Sequence, residues 1–300
     1  MKALRFAAKP MLILFGAVMT SMTLLMSAPL WRLYRRAYGA KIYWLSGLGV
    51  VTILSFIPGL ASLGWMAGSL WLTVGLYTEL DLQGKGSLFT AVSCCLLGMI
   101  VLVGSQYLIS LQSGLQFQQA LLQDLQTRMG PAQWKSVEPQ MAWIIQSIPG
   151  LICATLVLSL AASLIFERKL SWFFGIRYNQ IAGSFRLLEL RMPDVLVWTS
   201  LFAATTLLFE SLAKIVQGFG LNILIVLVAL FLLQGIAILE VFMMKMRFGI
   251  FGRLFMYFFV VGQLMVLVSF IGFIDYWVDF RGRLRRWKGF QNRPQTGEDL

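Results

Sequence analysis

The stretch Leu254–Lys288, LFMYFFVVGQLMVLVSFIGFIDYWVDFRGRLRRWK, constrains the fold more than any other. A run of about twenty apolar residues is long enough to span a bilayer. This run then passes through Asp275, Tyr276, Trp277 and Asp279 into an arginine cluster. A Tyr-Trp pair fits the lipid–water boundary, and a basic cluster fits a cytoplasmic face. The rest of the chain repeats the theme. Of its 300 residues, 58% are hydrophobic and 13% charged, where a soluble domain carries about a quarter charged residues. The apolar residues form long runs rather than the alternating segments of about ten residues that a transmembrane barrel requires. The expectation is an all-α, polytopic membrane protein with a single helical membrane domain over 1–290 and a polar tail at 291–300.

The net charge of +12 comes from 25 Lys and Arg against 13 Asp and Glu. The basic residues flank the apolar runs, which suits loop orientation and lipid headgroups. No basic surface domain is present to bind nucleic acid. Histidine is absent, which removes imidazole acid–base chemistry and histidine metal ligation. Cys94, Cys95 and Cys153 lie inside apolar runs without a CxxC spacing and read as small core residues. Neither GxxxxGK[ST] nor GxGxxG occurs, so no nucleotide site is expected. With no nucleophile–base pair in view, neither an enzyme nor a metal or organic cofactor is expected.

About eight spans are expected. They fall at 11–30, 42–57, 60–78, 88–109, 145–166, 195–209, 221–244 and in the opening run. Pro58-Gly59 marks a tight hairpin between the second and third. Gly64 and Gly68 form a GxxxG that lets helices approach closely. Trp31–Trp44 reads as a basic aromatic loop at the membrane surface, with Arg32, Arg35, Arg36 and Lys41 among tyrosines. Leu111–Trp143 is the main extramembrane segment. Its leucines recur at helical spacing, predicting an amphipathic helix suited to a protein partner. The sixth span is short and bounded by Asp194 and Glu210. Loop charges divide evenly if it crosses, and favour one side if it does not, which leaves an alternative with one crossing fewer.

Four motifs are similar to the YybS-like family of bacterial polytopic membrane proteins. They are Ser147-Ile-Pro149-Gly, Phe185-Arg-Leu-Leu-Glu-Leu-Arg191-Met-Pro193 leading to Trp198, Phe231-Leu-Leu-Gln234-Gly, and Gly272-Phe-Ile-Asp275-Tyr-Trp-Val-Asp279-Phe-Arg281. The resemblance implies about eight spans and a distant likeness to the substrate-capturing S components of energy-coupling-factor transporters, at the level of fold alone. It also implies the inner, cytoplasmic membrane of a bacterium.

Polar groups inside spans are the natural site candidates. Gln234 and Gln263 lie mid-span and are placed to hydrogen-bond each other, while Glu240 has Lys245 and Arg247 nearby in sequence. These three are the expected substrate-binding residues. Gly64, Gly68, Arg191, Pro193, Trp198, Asp275, Asp279 and Arg281 are expected at helix-packing or interface positions. Asp275, Asp279 and Arg283 share one helical face and suggest an ion ladder. Two functions follow from different classes. One is a small-molecule binding or transport component that needs an energising partner. The other is a scaffolding membrane protein of envelope assembly, acting through Leu111–Trp143 and Glu167–Asp194. The partners expected are the lipid bilayer, a small-molecule ligand and a membrane protein.

Overall fold

A computed structural model describes residues 2–23, 27–57, 59–112, 131–176, 190–209 and 213–286. Among these the regular structure is helical. The elements are α1 (Lys2–Met19), a 3-10 turn (Thr20–Thr23), α2 (Ala28–Tyr38), α3 (Ala40–Phe56), α4 (Ala61–Leu82) and α5 (Leu88–Gln112). There follow α6 (Pro131–Phe173), α7 (Asp194–Leu208), α8 (Lys214–Lys245), α9 (Ile250–Met256), a π turn (Tyr257–Val261), α10 (Met265–Val278) and α11 (Phe280–Arg286). Residues 113–130 of the Leu111–Trp143 segment, 177–189 of the Glu167–Asp194 loop, Glu210 and the 291–300 tail lie outside the described residues.

Three helices are long and apolar enough to cross a membrane, at Leu88–Ser105, Trp143–Glu167 and Lys214–Lys245. The bent pair Phe251–Val260 and Met265–Val278 raises this to up to 4 among the described residues. The other expected spans fall short for two reasons. Pro10–Met19, Ala40–Phe56 and Asp194–Leu208 are short apolar helices, below the roughly 20 residues that cross a hydrocarbon core unaided. In α4 the leucines are diluted by Gly, Ser, Thr and Trp, and the helix ends on Glu79 and Asp81.

The described chain forms two compact units. The first comprises Met1–Phe185 with Trp198–Leu230, the second Arg186–Val197 with Phe231–Leu300. In the first unit α3 and α4 make an antiparallel hairpin whose register is set by small residues. A side chain on Gly64 would meet Ser55, one on Gly68 would meet Val51, and one on Gly75 would meet Tyr43 and Trp44. Gly64 and Gly68 thus face α3, where a missing Cβ allows the backbones to close up. Helix α4 also packs on α5, and α5 on α6. Helix α2 packs against α1, α3, α4 and α6 and is buried from Trp31 to Arg35. It is therefore not the surface loop that its charges suggest.

Several helix ends share one device. Helix α4 stops at Gly84 with φ 76°, where the Lys85 amide bonds the Leu80 carbonyl and the Gly84 amide bonds the Asp81 carbonyl. This is a Schellman ending, which favours glycine in the left-handed position. Gly175 ends α6 in the same way, with φ 61°. Arg247 ends α8 so at φ 54° despite its side chain.

Helix α6 also sets the path of the chain in the first unit. At one end, Gln146 donates to the Lys214 carbonyl and Asn222 donates to the Gln146 carbonyl. Seventeen residues on from Gly150, roughly 25 Å at 1.5 Å per residue, Glu167 meets Arg32. The chain thus leaves α6 at its Glu167 end, whereas α8 starts beside Gln146. The end of α7 sits at the Gln146 end too, with Thr206 against Gly220 and the Gln217 amide on the Phe209 carbonyl.

Candidate functional site

The densest cluster of charge in the first unit is built on α2. Arg32, Arg35 and Arg36 follow the spacing that places side chains on one helical face. Two other apolar helices supply acids near their C-terminal ends, Glu79 and Asp81 from α4 and Glu167 from α6. Arg32 bridges both partners, with Nη2 at 2.6 Å from Asp81 and Nε at 2.7 Å from Glu167. Arg36 spans the same two carboxylates at 3.0 Å and 3.1 Å. Arg35 grips Glu79 with both nitrogens at 2.6 Å and 2.7 Å, and the Trp44 indole adds a third donor at 3.3 Å. The Arg32 guanidinium also lies over the Tyr77 ring, 5.6 Å from its centre.

Among the described residues three arginines face three carboxylates. Burial alone would depress the Arg32 pKa, but the adjoining Glu167 and Asp81 outweigh it and leave it raised. Glu79 is held below the usual carboxylate range, chiefly by the hydrogen bonds from Arg35. Such a layer is stable only while complete. Removing one partner of a buried pair leaves a charge without compensation and costs about 3–5 kcal/mol.

Below the ionic layer is an aromatic box. The Trp31 ring meets Tyr43 edge-on at 5.9 Å, and Trp44 meets Trp71 at 4.9 Å. The Tyr43 hydroxyl donates to the Trp71 carbonyl at 2.6 Å. Trp71 lies roughly 15 Å back along α4 from Asp81. Helix α2 therefore rises from the interior of the unit, at its Ser27 end, to the charged layer. Along α2 and its N-cap three polar side-chain atoms are buried without a partner among the described residues. They are Ser27 Oγ, Trp31 Nε1 and Arg32 Nη1.

The second unit holds a different polar node. Gln234 Oε1 accepts from the Met192 amide at 3.0 Å, and its Nε2 donates to Asp275 at 3.2 Å. Asp275 also accepts from Arg281 at 2.8 Å and 3.0 Å and from the Phe280 amide at 2.8 Å. Arg281 Nη1 donates to the Leu190 carbonyl at 2.6 Å. The segment 190–193 is thereby pinned to α8 and α10. Gly235 and Gly272 allow the two helices to touch, since a Cβ on Gly272 would lie 2.0 Å from the Phe231 carbonyl. Arg191 reaches Asp279 at 3.0 Å on the surface, and Pro193 is half-buried. Trp198 is exposed in the first unit.

The three expected ligand residues are not brought to one point. Gln234 is occupied by Met192 and Asp275. Glu240 pairs with Arg253 at 3.2 Å and with the Tyr257 hydroxyl, not with Lys245 or Arg247. The turn at Arg247 folds α9 back along α8, which delivers those partners. Gln263 is exposed beside the break between the π turn and α10. The ladder from Asp275 to Arg283 is also replaced. Asp279 takes φ 48° and interrupts the helix, and Asp275 pairs with Arg281.

Sequence reasoning missed the ionic layer and Asn222. The signal for the layer was present, in the helical spacing of Arg32, Arg35 and Arg36 and in acids placed at the ends of two apolar runs. Asn222 had no such signal. Its side chain accepts from the Gly150 amide and donates to the Gln146 and Gly218 carbonyls.

Apolar helices of spanning length, in a chain whose described residues are helical, define an integral membrane protein. The family model described as "Predicted membrane protein (DUF2232)" matches residues 7–276. The chain belongs to that family. No curated protein and no solved structure matches it.

Proposed function

We propose that this protein is a small-molecule-binding component of a transport system in a bacterial inner membrane. In this reading it has about eight membrane-embedded segments and acts like a substrate-capturing S component. The observation that supports the reading is α2. It carries three arginines, yet its residues Trp31 to Arg35 are buried inside a largely apolar unit. An apolar helix would fill that volume without the cost of desolvating charge. Ionisable groups enclosed by membrane helices characteristically mark ligand or ion paths. The sequence carries no nucleotide-binding loop, so a separate energising module would drive transport.

Native mass spectrometry of the detergent-purified chain tests this. A small molecule retained at one copy per chain is expected. A stable membrane-protein partner with no small molecule would instead favour envelope scaffolding. Gln263→Leu separates the possible sites. Gln263 is exposed, so loss of the small molecule in that variant would move the site to the second unit.

A further inference from the structure

We infer that the ionic-layer end of the first unit is a docking surface for anionic phospholipid headgroups of the cytoplasmic leaflet, engaged through Lys41, Lys85 and Lys169. Helix α6 shows where the bilayer lies. Its apolar stretch runs from Trp143 to Glu167, and an exposed tryptophan stands at each end, Trp143 at 51% and Trp172 at 84%. The two are twenty-nine residues apart, roughly 44 Å at 1.5 Å per residue. That matches the thickness of a bilayer with its headgroups, about 40–45 Å, and tryptophan concentrates at headgroup depth. Phe173, beside Trp172, is exposed as well. Glu167 of the ionic layer lies about one and a half turns inward of this pair on the same helix. The ionic layer thus sits just beneath one headgroup region.

Three elements bring lysines to that end. On α3 the Trp44 indole bonds Glu79, and Lys41 lies about one turn further out. Lys85 sits in the turn after α4, four residues past Asp81, and Lys169 stands two residues past Glu167 on α6. All three are exposed. The nearby acids do not offset them, because Arg35 grips Glu79 while Arg32 and Arg36 hold Asp81 and Glu167. Among the described residues none of the three lysines has an acidic partner, and Lys169 lies over the Phe166 ring, 5.8 Å from its centre. At the opposite end of the unit the exposed cation among the described residues is Lys214, beside Gln146. An excess of exposed lysine marks the cytoplasmic side of a membrane protein. The anionic lipids of that leaflet attract such residues, whose long stems reach the headgroups. With the arginines turned inward onto acids, the lysines supply the uncompensated charge that a lipid phosphate meets.

The test uses the full chain, purified in detergent and given equal amounts of phosphatidylglycerol and phosphatidylcholine with matched acyl chains. Native mass spectrometry reads which lipid stays bound. The wild type should hold the anionic lipid in preference. A lysine near an anionic leaflet contributes about fivefold. Each of Lys41→Gln, Lys85→Gln and Lys169→Gln should therefore cut the preference by up to that factor, and the three together should abolish it. Lys41→Arg, Lys85→Arg and Lys169→Arg together should keep it, because charge is what the headgroup meets. The preference should shrink as salt is raised. Unfolding temperatures should not change, since no lysine gives up an acidic partner among the described residues. Equal retention of the two lipids by the wild type, or an unchanged preference in the triple glutamine variant, overturns the docking surface. The side of the membrane is read separately. Lys85→Cys should react with an impermeant maleimide in inside-out vesicles and not in right-side-out ones. Reaction in right-side-out vesicles overturns the cytoplasmic placement.

Discussion

Glu79 is the acid of the ionic layer that solvent reaches most easily, with 27% of its side chain exposed. Its pKa is lowered from the usual 4.5, first by the Arg35 hydrogen bonds. A depressed carboxylate stabilises the fold above its unfolded pKa and ceases to do so as pH falls through its folded value. The unfolding temperature of the wild type should therefore exceed that of Glu79→Gln by a constant margin from neutral pH down to about 5. The margin should narrow below about 4.5 as Glu79 protonates. A margin that widens on acidification would show that Glu79 is not held as a carboxylate by Arg35. Identity alone could not have given this role, because an acid at the end of an apolar run reads equally well as an interfacial residue. The two-handed grip of Arg35 distinguishes the cases.

Among the helices, glycine positions separate tight contacts from open ones. Gly272 of α10 touches the Phe231 carbonyl and the Gly235 amide of α8, whereas nothing lies within 4 Å of where a Cβ would stand on Gly104 of α5. Gly272→Ala should destabilise the protein by about 1–3 kcal/mol through overpacking. Gly104→Ala should be neutral or stabilise by up to about 1 kcal/mol, from helix propensity. Thermal unfolding of the two variants in the same detergent checks the contrast, and equal effects would mean that α8 and α10 do not meet at Gly272. The positions of α5, α6 and α8 were legible in the sequence from apolar length alone. Helix α2 was not, because its average polarity is that of a loop. Its neighbours, not its own residues, place it in the interior. The start of α6 was half legible. Pro131 opens it as its fixed φ allows, and the helix runs on through Pro149 to Phe173, past both bounds of the expected span at 145–166.

The path of the first unit makes a prediction for the whole molecule. The α4–α5 turn lies at the Asp81 end of the unit, and α8 starts at the opposite end, beside Gln146. Cysteines introduced at Gln83 and Lys214, both exposed, should react with a membrane-impermeant maleimide from opposite faces of the membrane. Background labelling should be low, because Cys94, Cys95 and Cys153 are buried. Labelling of both sites from one face would mean that 174–213 does not cross. Loop charges alone left that crossing open, since positive residues report orientation only where they sit in loops, and Arg32, Arg35 and Arg36 do not. The sequence by itself determined that the described chain is helical and belongs in a membrane. Those properties depend on length and periodicity among near neighbours, which a linear reading captures. Only the tertiary structure decided which charges meet. Arg32 and Glu167 are 135 residues apart, and Gln234 finds Asp275 across 41. Such pairs form because desolvated charge and unpaired amides inside an apolar bundle are costly, and that cost selects partners by position in space and not by position in the chain.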